Sequence, residues 1–170
     1  IITDNKIVNY RGADTDYIKV TDGTNVTIEN NILANTADNN NDLQEALSRG
    51  ENVVLTAGNY VLPQNIANGV TIIGGEGVKI APTSINADNI TIMNVEFAGD
   101  KKTTPVLTLS GSNPTIENCV FTGAAGNGTG VVVKGKDSND VITLKNCDFS
   151  QDDFFKPIFD EWTGLKGGTL

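Results

Sequence analysis

The chain has 170 residues and a formal net charge of −9, with two arginines, Arg11 and Arg49, and no histidine. Nucleic acid and other polyanions are disfavoured as partners, because phosphate binding needs clustered Lys and Arg to displace counterions. The missing histidine removes the commonest general base, proton shuttle and metal ligand together. The length suits one domain, and no stretch reaches the roughly 18 to 20 apolar residues that span a bilayer. The chain opens on Ile1 without a basic-then-apolar leader, as a processed form, an expressed piece or a fragment of something longer would. Its richness in Gly, Asn, Asp and Thr points to an extracellular, cell-surface or virion-surface protein.

In chain order, a weak motif IITDNKIV (Ile1 to Val8) is followed by VTIENNIL (Val26 to Leu33). Three further copies follow at Ile90 to Phe97, Pro114 to Phe121 and Ile142 to Phe149. Each alternates apolar residues with Thr, then places an Asn, then more apolar residues. The Asn falls at Asn5, Asn30, Asn94, Asn118 and Asn146, at intervals of 25, 64, 24 and 28 residues. Repeats of this length with period-two alternation and Gly/Asn/Asp corners predict an all-β fold, a right-handed parallel β-helix. Asn tolerates left-handed backbone angles, so successive copies either stack as an internal hydrogen-bonded ladder or simply end strands. Ile28, Ile92, Ile116 and Leu144 are expected to form one core column, and Leu33, Phe97, Phe121 and Phe149 another. Cys119 and Cys147 occupy the same slot on adjacent coils, about 4.8 Å apart, either as small core residues or as a disulfide.

The interval of 64 residues holds a different pattern. Asn41 or Asp42 suits a helix N-cap, Glu45 a capping-box position and Gly50 a helix stop, so residues 41–50 are expected to be helical, with Leu43, Ala46 and Leu47 on one face. Strands are expected at Val53–Leu55, Tyr60–Leu62, Val70–Ile73 and Val78–Ile80. The run DLQEAL, NVVLTAG, NYVL, GVTIIGGEGVKI resembles the opening coils of the pectate-lyase-like superfamily of right-handed parallel β-helices, over roughly residues 41–150. That resemblance implies a fold more than an activity, since the superfamily holds lyases, hydrolases, epimerases, phage tailspikes and noncatalytic surface proteins. It also implies that the helix caps the N-terminal end of the solenoid.

Residues 1–36 should then not stack ahead of the cap. Three arrangements would reconcile them with it: a circular permutation placing 1–36 after Phe149, a fragment whose first segment belongs to a preceding module, or completion of a neighbouring subunit. The main coils are expected over 52–150. Residues 151–170 break the rhythm and carry Phe154, Phe155, Phe159 and Trp162, either a hydrophobic plug or a segment docking on a partner subunit.

Catalytic signatures are sparse. Glu29, Glu96 and Glu117 lie on repeat strands without a neighbouring His or Arg, and Asp152 and Asp153 lie in the tail, so no paired-carboxylate site is assigned. Asp38, Asn40 and Asp42 alternate as in a calcium loop, but Leu43 stands where the turn glycine is needed. No metal or cofactor is expected. Arg11, Asp14, Asp16 and Tyr17 make a plausible polar sugar-contact loop, or a solvated turn. Asn25, Asn89 and Asn127 fit glycan acceptor sites. The reading is a noncatalytic structural module that self-associates or joins other surface or virion subunits. The alternative is a polysaccharide-binding or polysaccharide-degrading β-helix protein.

Overall fold

The computed structural model describes residues 1–9, 17–23, 25–103, 105–124, 128–137, 139–150 and 156–160, with only Pro157 and Ile158 described as side chains in the last segment. The fold is the expected right-handed parallel β-helix of about six turns with one short helix.

Strand-forming alternation places an apolar residue inward at every second position, so most of the short strands bury one face. The first coil contributes β1 (Ile2–Thr3) and β2 (Lys6–Val8), the second β3 (Ile28–Glu29) and β4 (Ile32–Ala37). After α1 (Asn40–Ser48) come β5 (Asn52–Leu55) and β6 (Gly58–Tyr60). Three-stranded coils follow: β7 (Thr71–Ile73), β8 (Val78–Ile80) and β9 (Thr83–Ile85), then β10 (Thr91–Met93), β11 (Glu96–Ala98) and β12 (Leu107–Leu109). Next are β13 (Thr115–Glu117), β14 (Val120–Thr122) and β15 (Thr129–Val133), and finally β16 (Thr143–Lys145) and β17 (Lys156–Asp160). Stacked, they give one long sheet ordered β2-β4-β5-β7-β10-β13-β16, a second ordered β6-β8-β11-β14, a third ordered β9-β12-β15-β17, and the separate pair β1-β3.

That order corrects two expectations. The coils of the long sheet follow the sequence without interruption, so residues 1–36 are not permuted to a place after Phe149. The reason lies in what the helix covers. Leu43, Ala46 and Leu47 seal the interior where the second and third sheets begin, joining one core cluster with Val53, Leu55, Tyr60 and Leu62. The edge of β5 stays open beside the helix, and β4 pairs with it directly from Ala34↔Asn52 to Ala37↔Leu55. The cap is thus lateral, and the long sheet runs past it.

The second correction concerns register. The N-terminal copies are shifted by one sheet: Ile28 pairs Ile2 in the small sheet, while Leu33 pairs Ile7 in the long one. The aliphatic column is therefore Val53, Ile72, Ile92, Ile116 and Leu144. The aromatic column begins with Tyr60 and Ile80 and continues through Phe97, Phe121 and Phe149. Its rings lie 5.0 and 4.6 Å apart at interplanar angles of 11° and 6°.

The recurrent asparagines do take left-handed backbone: Asn30, Asn94, Asn118 and Asn146 have φ between 52 and 59°. In the first coil Asp4, not Asn5, holds this place (φ 58°), since Thr3 pairs Glu29 and Lys6 pairs Ile32. Their side chains point to solvent, so the ladder bond from Asn146 Nδ2 to Asn118 Oδ1 (3.2 Å) is external rather than internal. It is the following residue, Val95 or Cys119, that turns into the core. Close stacking at another corner requires glycine, because a Cβ on Gly99 would stand 2.1 Å from the carbonyl oxygen of Gly123.

The helix start also differs. Asn39, one of several amides in the run before Leu43, is the N-cap, and its side chain accepts from the N–H groups of Asn41 and Asp42. Glu45 does not close a capping box; it pairs with Arg49 one turn on. Gly50, at φ +74°, ends the helix as expected.

Candidate functional site

Two kinds of surface stand out: a polar notch beside the helix and the two ends of the solenoid. The notch, about 570 Å³, lies where β4 runs past α1, and its lining includes Tyr17, Asn31, Asn35, Arg49, Glu51 and Asn52. Arg49 caps α1, so its guanidinium projects over the first residues of β5. Its Nε and Nη2 donate to the two oxygens of Glu51 at 2.8 and 3.0 Å, and Nη1 donates to Glu45. Asn35 Nδ2 donates to Glu51 as well, at 2.8 Å. The Arg49 guanidinium therefore holds the Glu51 carboxyl below the usual carboxylate range, and Glu51 and Glu45 raise the affinity of Arg49 for its proton.

The remaining amides of the notch serve the backbone. Asn52 donates to the carbonyl of Leu33 and accepts from the N–H of Thr71, which locks β4, β5 and β7 together. Asn31 accepts from the N–H and the side chain of Asn5 and donates to the carbonyl of Ile2. A notch whose Arg49 and Glu51 neutralise each other and whose amides bridge strands can offer hydrogen bonds to a neutral polar ligand, and among the described residues its lining holds no unpaired carboxylate or thiol.

The carboxylates on the flanks are likewise held across coils. Glu96 receives Lys79 Nζ and Thr122 Oγ1 at 2.8 and 2.9 Å. Burial works to raise the Glu96 carboxyl, but these two donors outweigh it and keep it low. Glu117 pairs with Lys145 at 2.8 Å. Asp88 is lowered by Lys136 and by the N–H of Ser112. Asp140, the one buried polar residue among those described, accepts from the N–H groups of Lys136 and Asp137 at 2.7 and 2.8 Å, which outweigh its desolvation. A second groove, about 500 Å³ on the outside of the third sheet, is lined by hydroxyls and aliphatics such as Ser84, Thr108, Val61 and Pro105, with no titratable group.

Of the expected sugar-contact residues, Tyr17 lines the notch, while Arg11, Asp14 and Asp16 lie outside the described residues. Phe154, Phe155 and Trp162 also lie outside them, and Phe159 is described only as backbone, paired with Val132 in β17. Cys119 and Cys147 are free thiols, so the disulfide option is not taken up; burial pushes the Cys119 thiol up to about 12 and raises that of Cys147. Asp38, Asn40 and Asp42 do not gather into a metal site: Asn39 occupies the turn, and among the described residues no group of three or more His, Cys, Asp or Glu could hold a metal ion. No described helix is long and apolar enough to cross a membrane.

The exposed apolar side chains gather at the ends. Of the eight large apolar side chains exposed among the described residues, Ile1, Val8, Val20, Val26 and Ile28 lie in the first two coils, and Val141 and Ile158 in the last. Only Val61 lies between. No family model matches this chain, and the searches of curated proteins and solved structures return no match.

Proposed function

We propose that this chain is a noncatalytic extracellular or virion-surface structural module, a rigid β-solenoid that makes subunit or partner contacts through its ends. The concentration of exposed apolar side chains at the two ends carries this reading, since apolar surface gathered in one place marks a contact rather than a solvated flank. Among the described residues, β1 and β2 at one end and β16 at the other have no strand beyond them, which favours the same role, because unpaired N–H and C=O groups template another strand. Glu96 and Glu117, tied to Lys79 and Lys145 of neighbouring coils, suit a rod better than acid–base work.

A second reading, a carbohydrate-binding member of the pectate-lyase-like superfamily, is favoured by one observation: Tyr17 stands in a polar notch rimmed by amides. Two measurements on the intact chain separate them. Light scattering over a wide concentration range reports association, and a panel of neutral and acidic polysaccharides reports binding and cleavage. The structural reading expects contacts without turnover. Polysaccharide cleavage, or saturable binding abolished by Tyr17→Ala, would refute it in favour of the second.

A further inference from the structure

The two ends are built from the same corner. At the C-terminal end, β16 runs into the left-handed residue Asn146, then one inward residue, Cys147, then Asp148, which bridges to β14. At the N-terminal end, β1 runs into the left-handed residue Asp4, then Asn5, then β2 from Lys6. Strand, bend, single residue and strand thus recur with one spacing, and φ is 52° at one bend and 58° at the other.

Within the chain, such corners stack by a repeated bond. The bend residue donates its N–H to the residue just before the bend of the next coil: Asp4 to Glu29, Asn94 to Glu117 and Asn118 to Lys145, at 3.4, 3.1 and 2.9 Å. Asn146 is next in that series, and among the described residues its N–H has no acceptor. The carbonyl before the opposite bend is that of Thr3, whose only described partner is the side chain of Asn5. Glu29, in the equivalent place one coil on, accepts from an Asn side chain and from the neighbouring bend together. Thr3 therefore has room for a second donor.

We infer that a second copy of this chain is the occupant: the β1–β2 corner of one molecule stacks on the β16 corner of another, in the register Ile2 on Leu144, Asp4 on Asn146, Lys6 on Asp148 and Ile7 on Phe149. This rests on the structural reading above and deepens it by naming the partner. The register sets the Lys6 ammonium against the Asp148 carboxylate and extends the aromatic column by Ile7. Because β2 rather than β1 lies in line with the long sheet of its own molecule, successive copies are turned by one sheet about the axis. Contact between unlike ends does not close, so the assembly is an open head-to-tail chain.

The register places Asn5 on Cys147, which gives a direct test. Strands on neighbouring coils are about 4.8 Å apart, within the Cα separation that a disulfide spans. Asn5→Cys, oxidised at high protein concentration, should give a ladder of disulfide-linked multimers that vanishes in the Asn5→Cys/Cys147→Ser double variant. A monomer alone, or a ladder that survives loss of Cys147, overturns the inference. Charge reversal supplies a second readout in chains whose far-ultraviolet circular dichroism confirms folding. Lys6→Asp should weaken association by about tenfold or more, since like charges facing across a contact are strongly disfavoured, and adding Asp148→Lys should restore it. Association that appears only after residues 161–170 are removed would show that the chain's own tail holds this end, and would also overturn it. None of these outcomes depends on polysaccharide turnover, so failure here leaves the structural reading open to a different partner.

Discussion

The aromatic column offers the sharpest test of how the coils are held together. Phe121 is fully buried between two rings, 5.0 Å from Phe97 and 4.6 Å from Phe149, whereas Phe97, equally buried, has one ring on one side and Ile80 on the other. Replacing either by Leu removes similar area and leaves a similar void, so the common cost cancels when the two are compared. What remains is one ring pair, worth about 0.5 to 1.5 kcal/mol beyond area burial. Phe121→Leu should therefore be less stable than Phe97→Leu by about that amount. Phe121→Ala should cost about 3 to 5 kcal/mol, a large share of the roughly 5 to 15 kcal/mol that holds a domain folded. Urea unfolding followed by far-ultraviolet circular dichroism, with an unchanged slope, gives the comparison. If Phe97→Leu proved as costly as Phe121→Leu or more so, ring stacking would contribute nothing beyond hydrophobic filling.

The external asparagine bend should tolerate Asn118→Gly better than Asn118→Ala, because its φ of 53° penalises a Cβ by about 1 to 2 kcal/mol; equal melting temperatures would contradict this. Acidification should destabilise the fold: Glu51, Asp88, Glu96 and Asp140 all lie below their ordinary range when folded, so the unfolded chain takes up protons first. Their stabilisation is complete above about pH 5 and is lost as pH falls through the folded values, whereas Asp42, raised by its hydrogen bond with Asp38, acts in the opposite sense. The urea midpoint should be level from about pH 8 to 6 and decline below about pH 5; a profile level to pH 3 would refute the assignment. For the thiols, the partly exposed Cys147 should react in the native chain and Cys119 only at the rate of unfolding, with Cys147→Ser abolishing the fast phase.

Much of this architecture was legible in the repeat. Copies at Asn94, Asn118 and Asn146 lie one coil apart, and their apolar positions became the stacked columns, because strand alternation plus an obligatory left-handed bend leaves little freedom. The two N-terminal copies were misplaced for the same reason. A motif such as TIEN encodes strand and bend but not which side of the solenoid it occupies; that depends on how many residues the connections consume, and the 64-residue interval includes a helix. The N-cap lies two residues or more before the expected Asn41 or Asp42, since Asn39, Asn40, Asn41 and Asp42 can all cap and only the packing of Leu43 chooses among them. The notch could not be foreseen, because Tyr17, Asn35 and Arg49 meet only through the shift that brings β4 onto β5.

The helix beside that seam has a further consequence. Because α1 closes the interior laterally, residues 1–37 join the rest of the solenoid through the β4–β5 pairing, the contacts of β4 with α1 and the bridging amides of Asn35 and Asn52. In a stack where each layer touches only its neighbours, cooperativity breaks at the weakest junction. Among the described residues of the first two coils only Ala34 and Ala37 are buried, so these coils are expected to open as a block before the aromatic column does, and their amides to exchange through that partial opening rather than through global unfolding.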